Sequence, residues 1–313
     1  MKILVTGSSG FIGFHLCTFF LKKKFKVYGI DNHNKYYSNK IKQKRLNILK
    51  KNKNFNFKKL DLVKKKDLNK FFFYNKPDVV FHLAGQPGVL YSFKNPKSYL
   101  RNNYQATKNL IECINKFNCK KLIFASSSSV YGEQVKFPLK ENFKLKPKNF
   151  YAKTKVMCEN LIIKKITKEF IIFRFFTVYG SYGRPDMFIH KFLNNIILNK
   201  KTKIYNYGKN FRDFTYVQDI VKILKRSINI CTKKKIINIC RSKPIQTIKL
   251  INLIKKFLKQ KELNVLFVKP QKGEMLKTYG DNAILRREIG KIKFTNIEEG
   301  LKNTIRNFKK VRM

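Results

Sequence analysis

Two side chains one helical turn apart, Tyr151 and Lys155 in NFYAKTKVMCEN, have the types and spacing of an acid–base pair. Positions at this spacing share one face of a helix. A phenol titrates near about 10 and is a poor base at neutral pH, but a neighbouring ammonium favours the phenolate. Further hydroxyls stand upstream in FASSSSVYGEQ, where Ser126 to Ser129 follow the apolar run CKKLIF. A serine run usually marks a solvated loop. Here it closes a stretch that reads as a buried strand, and in a doubly wound sheet ligands bind beyond the carboxyl ends of the strands. Ser127 can bond the hydroxyl from which Tyr151 takes a proton and align it.

Such a pair needs a hydride acceptor, and KILVTGSSGFIG supplies its site. Gly7 permits a tight turn after the first strand, Gly10 lets the backbone approach a pyrophosphate, and Gly13 allows close helix–strand packing. Phe11 and Ile12 open the helix between them. Asp31 ends the next strand, KVYGID, where a carboxylate bonds both ribose hydroxyls and repels a 2′-phosphate. NAD is therefore favoured over NADP, even with Lys35 and Lys40 nearby. An oxidised nicotinamide adds a second positive charge favouring the Tyr151 phenolate. Asp61 and Leu62, ending the third strand, belong beside the adenine, although Asp at a strand end also serves as a cap. Leu83 and Ala84, ending DVVFHLA, complete the cofactor set.

The elements that position these residues follow from periodicity. Residues 2–6, 26–31, 55–62, 78–84, 120–126 and 170–176 read as strands. They alternate with amphipathic stretches such as 11–24, 64–75, 98–117 and 151–168. Nearly all-apolar strands alternating with helices mean a doubly wound parallel sheet covered on both faces. Beyond residue 177 the order loosens, with helices at 187–199, 219–230, 247–259 and 297–309 and short strands near 203–207, 214–217 and 236–239. The expected organisation is an α/β Rossmann domain from 1–176 and 216–240, and a smaller α/β substrate-binding lobe from 177–215 and 241–313.

The chain carries 70 Lys+Arg against 18 Asp+Glu, a formal charge of +52. A basic surface can neutralise nucleic-acid phosphates, but here lysine dominates over arginine and is scattered through every segment. The charge is read as attracting an anionic small molecule, with no specific nucleic-acid partner. Six cysteines form no close pair and four histidines form no ligand cluster, so no metal is expected. Reduced thiols in a cytoplasmic protein, with no membrane span, complete that reading.

Several longer blocks are more specific: GFIGFHL, DNHNKYY, ASSSSVYG, YAKTK, RFFTVYGSYGRPDM and YNYGKNFRDFTYVQDIV. On these, over essentially its whole length, the chain resembles the extended short-chain dehydrogenases/reductases that act on nucleotide sugars. Within that family it is most similar to the UDP-glucuronate 4-epimerases. The resemblance implies Tyr151 as base, Lys155 as its partner and Ser127 as the third catalytic member. It implies transient oxidation at carbon 4 by NAD, turnover of the 4-keto sugar, and hydride return to the opposite face. Ser128, Thr177 and Arg184 would hold the uronate carboxylate, Arg212 the diphosphate, and Asn103 the sugar or the active-site loop. Lys191 would reach the uridine side, while Asp213 and Asp219 could equally be structural caps.

Dehydrating relatives usually carry Asp-Glu just before VYG, and decarboxylating ones a Glu; here Ser128 and Ser129 stand there. Two departures concern the substrate: Leu90 replaces the arginine of GVRYS, and QKGEM (271–275) keeps a charge at Glu274 where the family has Pro and Asp. UDP-glucose or UDP-N-acetylhexosamine 4-epimerisation and UDP-glucuronate decarboxylation remain alternatives. A homodimer pairing the 98–117 and 151–168 helices is also implied.

Overall fold

The computed structural model describes residues 1–230, 234–270 and 275–312. Residues 271–274, with Glu274, and Cys231 lie outside the described residues. Six strands appear where the apolar runs place them: β1 (Lys2–Thr6), β2 (Lys26–Asp31), β3 (Phe55–Lys59), β4 (Val79–His82), β5 (Lys121–Ser127) and β6 (Glu169–Phe175). With the Lys234–Ile239 strand they form one seven-stranded sheet ordered Lys234–Ile239, β6, β5, β4, β1, β2, β3. The ladders from β3 through β2, β1 and β4 to β5 are parallel. The crossover between β3 and β4 reverses the direction of winding beside β1, so the carboxyl ends of β1 and β4 flank the switch point.

β1 and β4 are almost wholly buried, as apolar strands covered on both faces must be. Helices α1 (Phe11–Lys22) and α2 (Asn39–Lys50) follow β1 and β2. One face of the sheet packs Leu4, Val80, Leu122 and Ile172 against Leu68 and Phe72, Leu110 and Ile114, and Ile162. These partners come from three helices: α3 (Lys65–Asn75), Ala106–Lys116 and Phe150–Lys165. The 98–117 stretch is not one regular helix. A short Pro96–Tyr99 helix leads into a wider π-helical turn over Leu100–Gln105, and the α-helix begins only at Ala106.

The chain forms two compact units. The first comprises Met1–Gly132, Lys144–Arg174 and Val221–Ile237; the second comprises Glu133–Phe143, Phe175–Ile220 and Asn238–Met313. Within the second, Thr177–Tyr179 pairs in parallel with Phe214–Tyr216, and Phe211–Arg212 lies between Ile245–Gln246 and Lys277–Thr278. Among the described residues no helix is long and apolar enough to cross a membrane. No group of His, Cys, Asp or Glu among them could hold a metal ion.

Candidate active site

The glycine loop is built by close approach. A Cβ on Gly13 would overlap the Gly7 carbonyl oxygen, and one on Gly7 would lie 2.8 Å from the Ala84 nitrogen. The loop therefore folds onto the first turn of α1, with Phe11 and Ile12 there, and against the chain leaving β4 at Leu83 and Ala84. A Cβ on Gly10 would likewise meet the Gly7 oxygen at 2.9 Å. The start of α1 offers unpaired N–H groups and the positive end of a helix dipole to a pyrophosphate.

Asp31 stands at the end of β2, accepting from the Ser9 N–H at 3.1 Å and the His33 N–H at 2.8 Å. The His33 Nε2 meets Ser9 Oγ at 2.9 Å. Burial pushes the His33 imidazole down; Asp31 opposes this, and Lys42, Lys59 and Lys50 add to it. The nearby buried cations are already committed. Arg45 donates to the Ser9 carbonyl and Tyr37, and Lys42 to Asn34, with burial pushing the Lys42 ammonium down. Asp61 accepts from the Val63 N–H at 3.3 Å and pairs with Arg101 at 2.7 Å, the geometry of a turn cap. Leu62 follows it and accepts from Asn109.

Tyr151 and Lys155 lie in the Phe150–Lys165 helix, which starts where it does because the Asn149 side chain accepts from the Ala152 N–H at 2.9 Å. Tyr151 sits in the first turn, half-buried, edge-on to Tyr99 with ring centroids 6.1 Å apart. The Lys155 ammonium donates to the Ala125 carbonyl at 2.7 Å and lies 4.8 Å from the Phe124 ring centre. A Cβ on Gly85 would lie 3.5 Å from it, so the loop after β4 packs on the same amine. Glycine loop, β4 loop, lysine and serine strand thus form one continuous set of contacts within the first unit.

Ser127 ends β5 and caps the tight turn Ser128–Tyr131, its Oγ accepting from the Ser129 N–H at 3.2 Å and the Ser129 hydroxyl at 3.0 Å. Ser127, Ser128 and Ser129 are half-buried. Gly132 closes the turn at φ +63°, where a Cβ would overlap the Lys146 carbonyl oxygen. Ser126 points the other way and donates to buried Glu159. Glu159 also takes a bidentate pair of bonds from Arg174, at 3.2 and 2.7 Å, and Arg174 reaches the Tyr131 hydroxyl at 3.1 Å. Burial alone would push the Arg174 guanidinium down, but the bonds and charge of Glu159 outweigh it and hold it above its ordinary value.

For Asn103 the hydrogen bonds favour the loop over the sugar. Its oxygen accepts from the Gln86 N–H at 2.6 Å, and its amide protons go to the Gln86 carbonyl and Thr154 Oγ1. A side chain 2% exposed with both protons in use positions the loop beside Lys155. His82 has no counterpart among the residues expected from the sequence. It bridges Thr6 and Thr107 at 2.8 and 3.0 Å, and burial, then the Lys155 charge, pushes it down to about 3. It is therefore a neutral brace beneath the lysine. Sequence signals did exist for Glu159 and Arg174: an acid two turns beyond Tyr151, and an arginine inside the apolar strand FIIFRFF, which demands a buried partner.

In the second unit Thr177 opens its strand, its N–H donating to the Asp213 carbonyl at 3.1 Å. Arg184 is paired bidentately with Asp186, at 3.0 and 2.5 Å, so part of its fork is occupied. Arg212 donates to the Phe211 and Leu276 carbonyls. Asp213 and Asp219 are structural: Asp213 accepts from the Arg241 and Ser242 N–H groups, and Asp219 from Thr295. Burial raises the Asp213 carboxyl to about 6.

Residues 3–240 match the model of the NAD dependent epimerase/dehydratase family. A UDP-glucuronate 4-epimerase of Thermodesulfobacterium geofontis is 36% identical over 307 residues, covering 96% of this chain and 94% of its own length. The crystal structure of UDP-glucuronic acid 4-epimerase from Bacillus cereus, in complex with UDP-glucuronic acid and NAD, superposes with a TM-score of 0.93 at 31% identity, covering 99% of this chain and 100% of that one. The UDP-N-acetylglucosamine 4-epimerase of Methanobrevibacter ruminantium superposes with a TM-score of 0.90 at 30% identity, covering 100% and 99%.

Proposed function

The chain belongs to the NAD dependent epimerase/dehydratase family, and we propose that within it the enzyme inverts carbon 4 of UDP-glucuronate to give UDP-galacturonate through a 4-keto intermediate. The observation that carries this is the serine turn. Lys155 bonds the carbonyl of Ala125, two residues before Ser127 on the same strand, and no carboxylate stands at Ser128 or Ser129 to drive elimination. NAD, when bound, supplies reversible hydride acceptance at carbon 4. The residues fit it: the Gly7–Gly13 loop and the start of α1 for the pyrophosphate, Asp31 for the ribose, and the Leu83–Ala84 loop beside Lys155 for the nicotinamide end.

The chain's own residues then handle one proton. Tyr151 accepts it from the carbon-4 hydroxyl and returns it after the sugar has turned. Lys155 favours the phenolate by its charge, and its bond to the Ala125 carbonyl fixes where that charge sits. Ser127 donates to oxygen 4 and holds it while it is a ketone. A 4-keto uronate is a β-keto acid, so its carboxylate must be kept out of line with the carbonyl π system. Ser128, Thr177 and Arg184 are the proposed ligands for it, with Arg212 for the diphosphate. Arg184 must exchange Asp186 or use its remaining N–H groups to do this.

Leu90 favours a second reading. Where related motifs carry arginine this chain has an apolar side chain, 54% exposed, which suits a neutral hexose. Incubating the purified protein with UDP-glucuronate, UDP-glucose and UDP-N-acetylglucosamine, and following products by proton NMR, decides between them. Preferential conversion of UDP-glucuronate supports the uronate reading; conversion of the neutral sugars alone overturns it.

A further inference from the structure

We propose that Ser129 is a positioning residue for this reaction. It fills both acceptor sites of the Ser127 hydroxyl and so commits that hydroxyl's single proton to the sugar. The inference rests on the reading above, in which Ser127 bonds oxygen 4.

The Ser129 N–H and hydroxyl both donate to Ser127 Oγ, at 3.2 and 3.0 Å. A serine hydroxyl has one proton and two lone pairs. With both lone pairs taken, Ser127 is a donor only, and its O–H is directed to the one remaining corner of the tetrahedron. That matters for an oxygen that alternates between alcohol and ketone. A donor-only Ser127 bonds oxygen 4 in either state, and it cannot compete for the carbon-4 hydroxyl proton, which then has Tyr151 as its destination. The O–H bond of the sugar breaks, the O–H bond of Tyr151 forms, and Ser127 keeps its own proton throughout.

The turn that carries Ser129 is fixed on each side. Ser126, before it, is tied to Glu159, and Tyr131, after it, to Arg174. Gly132 then packs against the Lys146 carbonyl so closely that no side chain fits. The two donors therefore reach Ser127 from a braced support, and Ser129 acts through geometry without touching the reacting atoms.

A double-mutant cycle in the full-length enzyme tests this, using whichever of the three UDP-sugars turns over. Losing one hydrogen bond that orients a donor is expected to lower kcat for Ser129→Ala by about 3- to 10-fold, with KM within about twofold of wild type. Ser129→Thr keeps the hydroxyl and is expected to restore most of that loss. In a Ser127→Ala background, Ser129→Ala is expected to have no further effect, because the group it orients is gone. An equal loss in both backgrounds, or a rise in KM with kcat unchanged, means Ser129 meets the substrate independently and overturns the inference. If Ser127→Ala itself turns over normally, the catalytic reading of Ser127 falls, and this inference with it. Unchanged far-UV circular dichroism and NAD affinity show that each variant is folded.

Discussion

Replacing Glu159 by Gln removes the negative charge that holds both ends of the serine turn. Glu159 and Arg174 are 1% and 3% exposed, so neither can turn to water. In the Glu159→Gln variant the new amide oxygen can keep the bonds from Arg174 Nε and Ser126. The amide NH2 then faces the Arg174 terminal nitrogen at about 2.7 Å, donor against donor. Stripping a buried pair of one partner costs about 3–5 kcal/mol, a large part of the roughly 5–15 kcal/mol that holds a domain together. Urea unfolding followed by far-UV circular dichroism is expected to show a loss of that size. Activity should fall further than stability explains, because Ser126 adjoins Ser127, and misplacing a reacting group by about 1 Å can cost on the order of a hundredfold. Glu159→Leu with Arg174→Met removes both charges and is expected to recover much of the lost stability, because it leaves no buried charge unpaired. A Glu159→Gln protein within about 0.5 kcal/mol of wild type, with normal turnover, would refute the bracing argument.

Tyr151→Phe is expected to lower kcat at least about a hundredfold, the ordinary contribution of a positioned general base, while calorimetry shows NAD still bound. Gly13→Ala drives a methyl group into the Gly7 carbonyl, so a stability loss of about 1–3 kcal/mol and sharply weakened NAD binding are expected by the same methods. His82 makes the fold acid-sensitive. Its folded value is about 3 against an ordinary 6.5, so below pH 6.5 the unfolded chain takes up a proton that the folded chain refuses. Its contribution is fully present above pH 6.5 and is lost as pH falls toward 3, by up to about 1.4 kcal/mol per pH unit. His82→Gln should flatten the urea midpoint between about pH 6.5 and 4 relative to wild type. Exposed Met157 and Ile163 on the Phe150–Lys165 helix suit a homodimer, which light scattering after size exclusion is expected to report; a monomer at micromolar concentration would remove that expectation.

The sheet was legible because its inner strands are buried on both faces, so apolar runs mark them to within about two residues; the edge strand β3 is largely exposed and stops at Lys59, short of the expected residue 62. The glycine loop, Asp31 and the Tyr151–Lys155 pair were legible because backbone approach and helical spacing leave few residue types that work. What escaped was set by tertiary partners. Ser126 and Ser127 look alike in sequence, yet strand alternation sends one hydroxyl to buried Glu159 and leaves the other in the turn. Asn103 has the polarity of a ligand, but the π-helical turn at Leu100–Gln105 turns it inward against Gln86. His82 carries no local signature, since its role exists only once β1, β4 and the Ala106–Lys116 helix have met. Residues 133–143 gave no sign that they pack with the second unit, because they have neither strand nor helix periodicity.

Everything proposed for the site turns on reversible oxidation at carbon 4, with return of the same hydrogen to the opposite face. UDP-glucuronate labelled with deuterium at carbon 4, incubated with the holoenzyme in ordinary water and examined by NMR, tests it directly. The expected product is UDP-galacturonate that retains deuterium at carbon 4, with no carbon dioxide released. Loss of the label to solvent, or release of carbon dioxide with a 4-keto pentose as product, would contradict it.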